Sequence, residues 1–174
     1  MKKRLIVLFC GLLVTGSAWS FHKAANRSRY NDEVYGFVID APRFPGAGPT
    51  TASTPVLFTG APVAGFASNV NVLVQAAKTT RKDLRELSLG QFRELDLKLI
   101  SERELSVSGR EAIEIEYEGT FPGQKKLHFL SLSIIDKDRV IVITCTSTPE
   151  AFAAVEPEFR ACLSSFRLKE DIRP

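Results

Sequence analysis

Hydrophobic and polar residues change rhythm several times along this chain, and each change predicts an element. The stretch "VYGFVIDAP" is dense in apolar and β-branched residues and stops at Pro42, so it reads as a first strand. Residues 42–55, "PRFPGAGPTTASTP", are rich in Pro, Gly and Thr and predict a surface loop, long for a structureless connection. "PVLFTGAPVAGFASNVNVLVQAA" predicts one short strand, a turn, and a longer strand over Asn69–Ala76. Thr79 or Thr80 then caps a helix over 81–95. Leu84, Leu87, Phe92 and Leu95 recur there at helical spacing, and Gly90 marks a place for a kink or an end.

Strands dominate after that helix. "LKLISEREL" leads through a Ser108-Gly109 turn into "REAIEIEYEGTF", and "KKLHFLSLSII" leads through Asp136-Lys137-Asp138 into "DRVIVITCTS". In "EAIEIEYE", Ile113, Ile115 and Tyr117 point one way and Glu114, Glu116 and Glu118 the other, which predicts a strand with one wet face. "VIVIT" is apolar on both faces and predicts a central strand. Short connections make these strands an antiparallel meander. Ser147 and Glu150 have capping-box spacing, and Pro149 suits a first helical turn. Phe152, Val155, Phe159, Cys162 and Phe166 then draw one apolar stripe, which Pro157 is expected to kink or divide. A sheet between two helical regions predicts an α+β sandwich.

The first twenty residues change the picture of where this domain works. Lys2, Lys3 and Arg4 precede an apolar run of about a dozen residues, and Ala18-Trp19-Ser20 follows, the three parts of a secretory signal. Cleavage is expected between Ser20 and Phe21. The run is short of the roughly 20 residues of a membrane-spanning helix, so no stable membrane anchor is expected. Cys10 lies inside the run after bulky Phe9, which does not suit lipid attachment. The chain has 23 basic and 20 acidic residues, and three of the basic ones lie in this segment. The remainder is balanced, and nucleic-acid binding loses its electrostatic support. The expected organisation is a signal over 1–20, a flexible polar lead over 21–32, one domain over 33–168 and a charged tail over 169–174.

The order of elements resembles the PsbP-like family. That family comprises the extrinsic photosystem II subunit PsbP and exported bacterial relatives of unknown function, of the DcrB type. The resemblance is carried by "GFVIDAP", "GFASNVNVLVQ", "SGREAIEIEYEG" and "TCTSTPEAFAAVEPEFRACLSSFRL", which together span nearly the whole region after the signal. It implies an antiparallel sheet flanked by helices in an α/β/α sandwich. It implies no activity, and no metal-binding motif of the family has a positional match here.

Candidate chemistry is sparse. Asn69 and Asn71 share a strand face and are candidate ligand contacts, although Asn69 also suits closure of the preceding turn. Glu114, Glu116 and Glu118 offer carboxylates to a cation, but side chains two apart on a strand stand roughly 6.5–7 Å apart rather than converging. Cross-strand pairing with Lys125 and Lys126 is the expected alternative. His22 lies in the polar lead, and His128 sits between Leu127 and Phe129 in a structural setting. No G-x-S-x-G elbow, phosphate-binding loop or dinucleotide fingerprint occurs. Cys145 and Cys162 are too few for a zinc site and lack C-x-x-C spacing. In an exported chain they suggest a disulfide, closing a loop of about 16 residues for roughly 3 kcal/mol. Two packed thiols are the rival. The sequence thus points to a non-enzymatic exported domain with an envelope protein partner and no cofactor. The alternatives are a small metal-dependent or hydrolase-like enzyme using surface carboxylates and His128, and a photosystem-type subunit with a cation site.

Overall fold

The computed structural model describes residues 28–44, 48–50, 56–121 and 125–172. In chain order the elements are β1 (Arg29–Asp32), β2 (Phe37–Asp40), β3 (Gly48–Thr50), β4 (Val56–Thr59) and β5 (Asn69–Ala76). They continue with α1 (Arg81–Glu94), β6 (Lys98–Val107), β7 (Arg110–Thr120), β8 (Lys126–Asp136) and β9 (Arg139–Ser147). Helix α2 (Pro149–Ser165), β10 (Arg167–Leu168) and a 3-10 turn over Lys169–Asp171 complete them. Among the described residues, seven strands form one antiparallel sheet in the order β3-β4-β5-β9-β8-β7-β6. A smaller sheet has the order β1-β2-β10.

Alternation along the central strands explains why both faces are covered. Ile141, Ile143 and Cys145 of β9, with Leu130, Leu132 and Ile134 of β8, join Phe152, Phe159 and Cys162 of α2 in the main core. The small sheet closes that core through Phe37 and Ile39, and Phe37 stacks on Phe166 with centroids 5.5 Å apart. The intervening residues Val140 and Val142 pack on Leu84 of α1, and Tyr117 and Phe129 pack near Phe92. The two helices therefore lie on opposite faces, the α/β/α sandwich that the family resemblance implied.

The meander follows the predicted turns. The β6–β7 hairpin turns through Ser108 and Gly109, both at positive φ (51° and 71°), a geometry matched to the strand twist. In α1, Thr80 Oγ1 accepts from the Asp83 amide at 3.1 Å and donates to Asp83 Oδ2 at 2.9 Å, a reciprocal cap. Four expectations are corrected. Residues 29–32 belong to β1 rather than to a flexible lead, because Tyr30 packs against Phe37 and Phe58 and pairs with Ile39 in register. Helix α2 is capped by Thr148, whose side chain accepts from the Ala151 amide. Ser147 is buried at the end of β9, its hydroxyl 2.9 Å from that of Ser68. Pro157 does not divide α2, since it and Ala153, whose carbonyl it leaves without a helical donor, lie on the exposed side. Lys169–Asp171 form a 3-10 turn rather than a free tail, with Lys169 Nζ 2.6 Å from Glu33. The predicted signal, the expected Ser20–Phe21 cleavage point, His22 and most of the 42–55 loop lie outside the described residues.

Candidate functional site

Among the described residues, ionisable groups gather most densely beneath α2, on the glutamate face of β7. That face was expected to be wet. Instead α2 lies over it: Glu114 is 8% exposed, and Glu116 and Glu118 are half-buried. The cause is Arg160, which interrupts the apolar surface of α2 and reaches down to the sheet. Its guanidinium is 3.1 Å from Glu114 and 3.6 Å from Glu116, and its Nε is 2.7 Å from Glu156 one helical turn earlier. Arg103 of β6 meets Glu114 from the other side with two hydrogen bonds of 2.8 and 3.0 Å.

His128 continues the line of polar contacts. It is paired in register with Glu118, and its ring stacks on Phe152 of α2 with centroids 3.6 Å apart. Nε2 lies 2.9 Å from Glu116 and Nδ1 lies 3.2 Å from Glu118. Each ring nitrogen thus has a carboxylate within hydrogen-bonding reach. Lys126 Nζ, 2.6 Å from Glu118, holds that carboxyl below the usual glutamate range against the opposing effect of burial. Arg160 is held above its ordinary value: burial opposes this, but the hydrogen bond to Glu156 and the charge of Glu114 prevail. The result is an alternating line Arg103–Glu114–Arg160–Glu116–His128–Glu118–Lys126. Of the two lysines expected across the hairpin, Lys126 joins it, whereas Lys125 donates to the Ala64 carbonyl.

Chemically the line works as a clasp. Its carboxylates are spaced along the line instead of converging on one point: Arg160 lies between Glu114 and Glu116, and the imidazole lies between Glu116 and Glu118. Among the described residues no group of three His, Cys, Asp or Glu side chains is arranged to hold one metal ion. Sequence reasoning found Glu114, Glu116 and Glu118 but placed them on a wet face, while it gave His128 a structural setting. The signal that α2 covers them was Arg160 beside an otherwise apolar stripe, with Glu156 four residues before it.

Asn69 and Asn71 lie on the other face of the sheet, because β5 turns Val70 and Val72 toward α2. Asn69 Nδ2 donates to the Ala67 carbonyl at 3.0 Å, closing the local turn, and Asn71 is half-buried. The structure does not bring either to the ionic line. The expected disulfide is also corrected. Cys145 does lie on the sheet face that α2 covers, but Cys145 and Cys162 are not joined by a disulfide and are both fully buried in the main core. Burial, reinforced by the neighbouring Cys162, pushes the Cys145 thiol well above its ordinary value. A thiol held protonated in this way packs as a small apolar group and is a poor nucleophile.

A second buried ionic knot escaped sequence reasoning. Asp136, 1% exposed at the β8–β9 turn, accepts from Arg110 Nε at 2.9 Å and Arg139 Nε at 2.8 Å. Arg110 also pairs with Glu170, and Arg139 donates to the Tyr35 carbonyl at 2.7 Å. Two hairpins are thereby tied to the small sheet and the C-terminal turn.

No family model matches the sequence, and no curated protein matches it. Solved structures do. The solution structure of cyanobacterial PsbP (CyanoP) from Synechocystis sp. PCC 6803 superposes with a TM-score of 0.64 at 17% identity, covering 88% of this chain and 98% of that one. PA94 from Pseudomonas aeruginosa, a protein of unknown function, matches at 0.60 and 15% identity over 85% of this chain and 98% of its own. LpqN, described as involved in cell envelope biogenesis of Mycobacterium tuberculosis, matches at 0.62 and 8% identity over 82% and 90%. The chain has the PsbP-like fold.

Proposed function

We propose that this chain is an exported domain that binds a partner protein, or supports an assembly, at the cell envelope and catalyses no reaction. The observation that carries the reading is the clasp under α2. His128, the one histidine among the described residues, and the three glutamates are engaged in ion pairs and ring contacts that hold a helix to a sheet, with Arg103, Arg160 and Lys126 as their basic partners. The first twenty residues support export, with release of a chain beginning at Phe21 and a periplasmic or secreted location. Among the described residues no helix is long and apolar enough to cross a membrane. The fold shared with LpqN, itself described as involved in envelope biogenesis, supports an envelope setting.

Two measurements test the reading. N-terminal sequencing of the exported form should begin at Phe21, and a form beginning at Met1 would contradict export. Chemical crosslinking in the native envelope, followed by capture of the chain, should recover a defined partner set. A folded His128→Ala or Glu116→Gln chain should keep that set. A turnover activity lost in those variants while the fold survives would replace binding with catalysis.

A further inference from the structure

Strand β6 ends the large sheet: among the described residues it pairs with β7 on one side and with nothing on the other. It is ten residues long, and none of its positions is buried. Long free edges are ready templates for another strand and are usually short, bulged or covered. The register here slips once, between Leu99 and Ser101, and then runs regularly from Ser101 to Val107. Leu95, Leu99 and Ile100, beside the slip, are large apolar side chains left 39–45% exposed.

The α2 face of the same edge adds a groove. Arg103, Leu105 and Val107 of β6 border a cavity of about 550 Å³ that reaches buried Leu132 and Leu163. Ser108 Oγ, at the end of this groove, is buried with no hydrogen-bond partner among the described residues. Of the charges around the groove, Arg103 is the one that β6 itself presents, with Arg167, Glu114 and Asp171 completing the set. Arg103, its side chain 62% exposed, shares the carboxylate of Glu114 with Arg160, and Arg167 donates to the backbone carbonyls of Ser164 and Phe166. Asp171 also lines the groove, 3.9 Å from Arg110. On the α1 face of β6 the charge is reversed: Glu102 and Glu104 stand there, paired with Arg85 and Arg81.

A second copy of the chain sets like charges opposite each other in registers centred on Glu102, Arg103 or Glu104, and in registers centred on Leu105 or Ser106 it leaves those three charges opposite no charged residue of β6. Antiparallel self-pairing about Arg103 sets Arg103 against Arg103 and Glu102 against Glu104. Pairing about Glu102 or Glu104 sets a glutamate against itself. Like charges directly opposite destabilise a strand pair. The same pattern favours a different sequence with the complementary alternation.

We propose that β6 is the docking edge for an extended segment of a partner protein, which adds to the sheet as an antiparallel strand. This rests on the binding reading above and names its surface and the class of its ligand. On the α2 face the segment presents a carboxylate to Arg103 and apolar side chains to Leu105 and Val107. On the other face it presents basic side chains to Glu102 and Glu104. Backbone hydrogen bonds along the edge supply affinity, and the alternating side chains supply specificity.

The test uses two capped peptides, Val-Thr-Ile-Lys-Glu-Lys-Thr, matched to Ser101–Val107 in antiparallel order, and its charge-inverted form Val-Thr-Ile-Glu-Lys-Glu-Thr. Titration calorimetry should show the matched peptide binding at least about tenfold tighter, from three charge pairs made favourable at once. It should also slow amide exchange in β6. Arg103→Glu should cut that preference to below about threefold. Glu104→Lys, an exposed change on the opposite face that leaves the clasp intact, should reduce it too. Equal binding of both peptides, or no protection of β6 by either, overturns the proposal. So does β6 protection that rises with chain concentration alone, which would assign the edge to a second copy. Failure with these peptides while envelope capture still recovers a partner removes the edge assignment alone. Failure of capture removes the binding reading itself.

Discussion

His128 shows how a chemically versatile residue becomes structural. Its two nitrogens face two carboxylates and its ring lies on Phe152, so it joins β7, β8 and α2 at one point. His128→Ala should lower unfolding stability by on the order of 2 kcal/mol, the range for buried hydrogen bonds to charged groups, as urea denaturation would measure. Glu116 and Glu118 keep Arg160 and Lys126 as partners, which limits the loss. Gly119 makes a different demand. A Cβ there would collide with the Leu97 side chain, itself 8% exposed and packed near Tyr117. Gly119→Ala should therefore cost about 1–3 kcal/mol through overpacking, with Leu97→Ala in the same chain restoring part of it.

At the scale of elements, the hairpins are secured by ion pairs whose pH dependence has a definite sign. Burial alone would raise the Asp136 carboxyl, but Arg110 and Arg139 outweigh it and hold the group below its ordinary value. A carboxyl depressed in the folded state stabilises fully above its unfolded pKa and loses that contribution as pH falls through its native one. Stability should accordingly drop below about pH 4, and Asp136→Asn should be less stable at neutral pH but less sensitive to acid. Denaturation midpoints at several pH values would check both. The α2–sheet contact makes a further prediction. Thiol titration of residues 21–174 should find no reactive cysteine while folded and two after unfolding without reductant. A value of zero after unfolding would show that the core is bridged after all.

For the whole molecule, much of the architecture was legible because apolar periodicity is local. Asn69–Ala76 is the strand that the sequence outlined, and the α1, β7, β8 and β9 boundaries fall close to their patterns. What was not legible depends on neighbours distant in sequence. Residues 29–32 look polar, and only Tyr30 meeting Phe37 and Phe58 makes them a strand. The glutamate row alternates as a wet face does, and the contact that ties it to α2 comes from Arg160, 46 residues beyond Glu114. The candidate surface followed the same logic. β6 reads as an ordinary strand until the sheet order shows that it lies at the end with a groove beside it.

Site-specific photocrosslinking in the native envelope tests the central claim, partner binding through this edge, most directly. One crosslinker replaces Glu104 on β6, and another replaces Thr59 on β4, five strand positions away and so roughly 24 Å across the sheet. The account predicts that the β6 position captures one partner through a single extended segment of alternating charged and apolar residues, and that the β4 position does not. Capture of the same partner from both positions, or of none from β6, would contradict it.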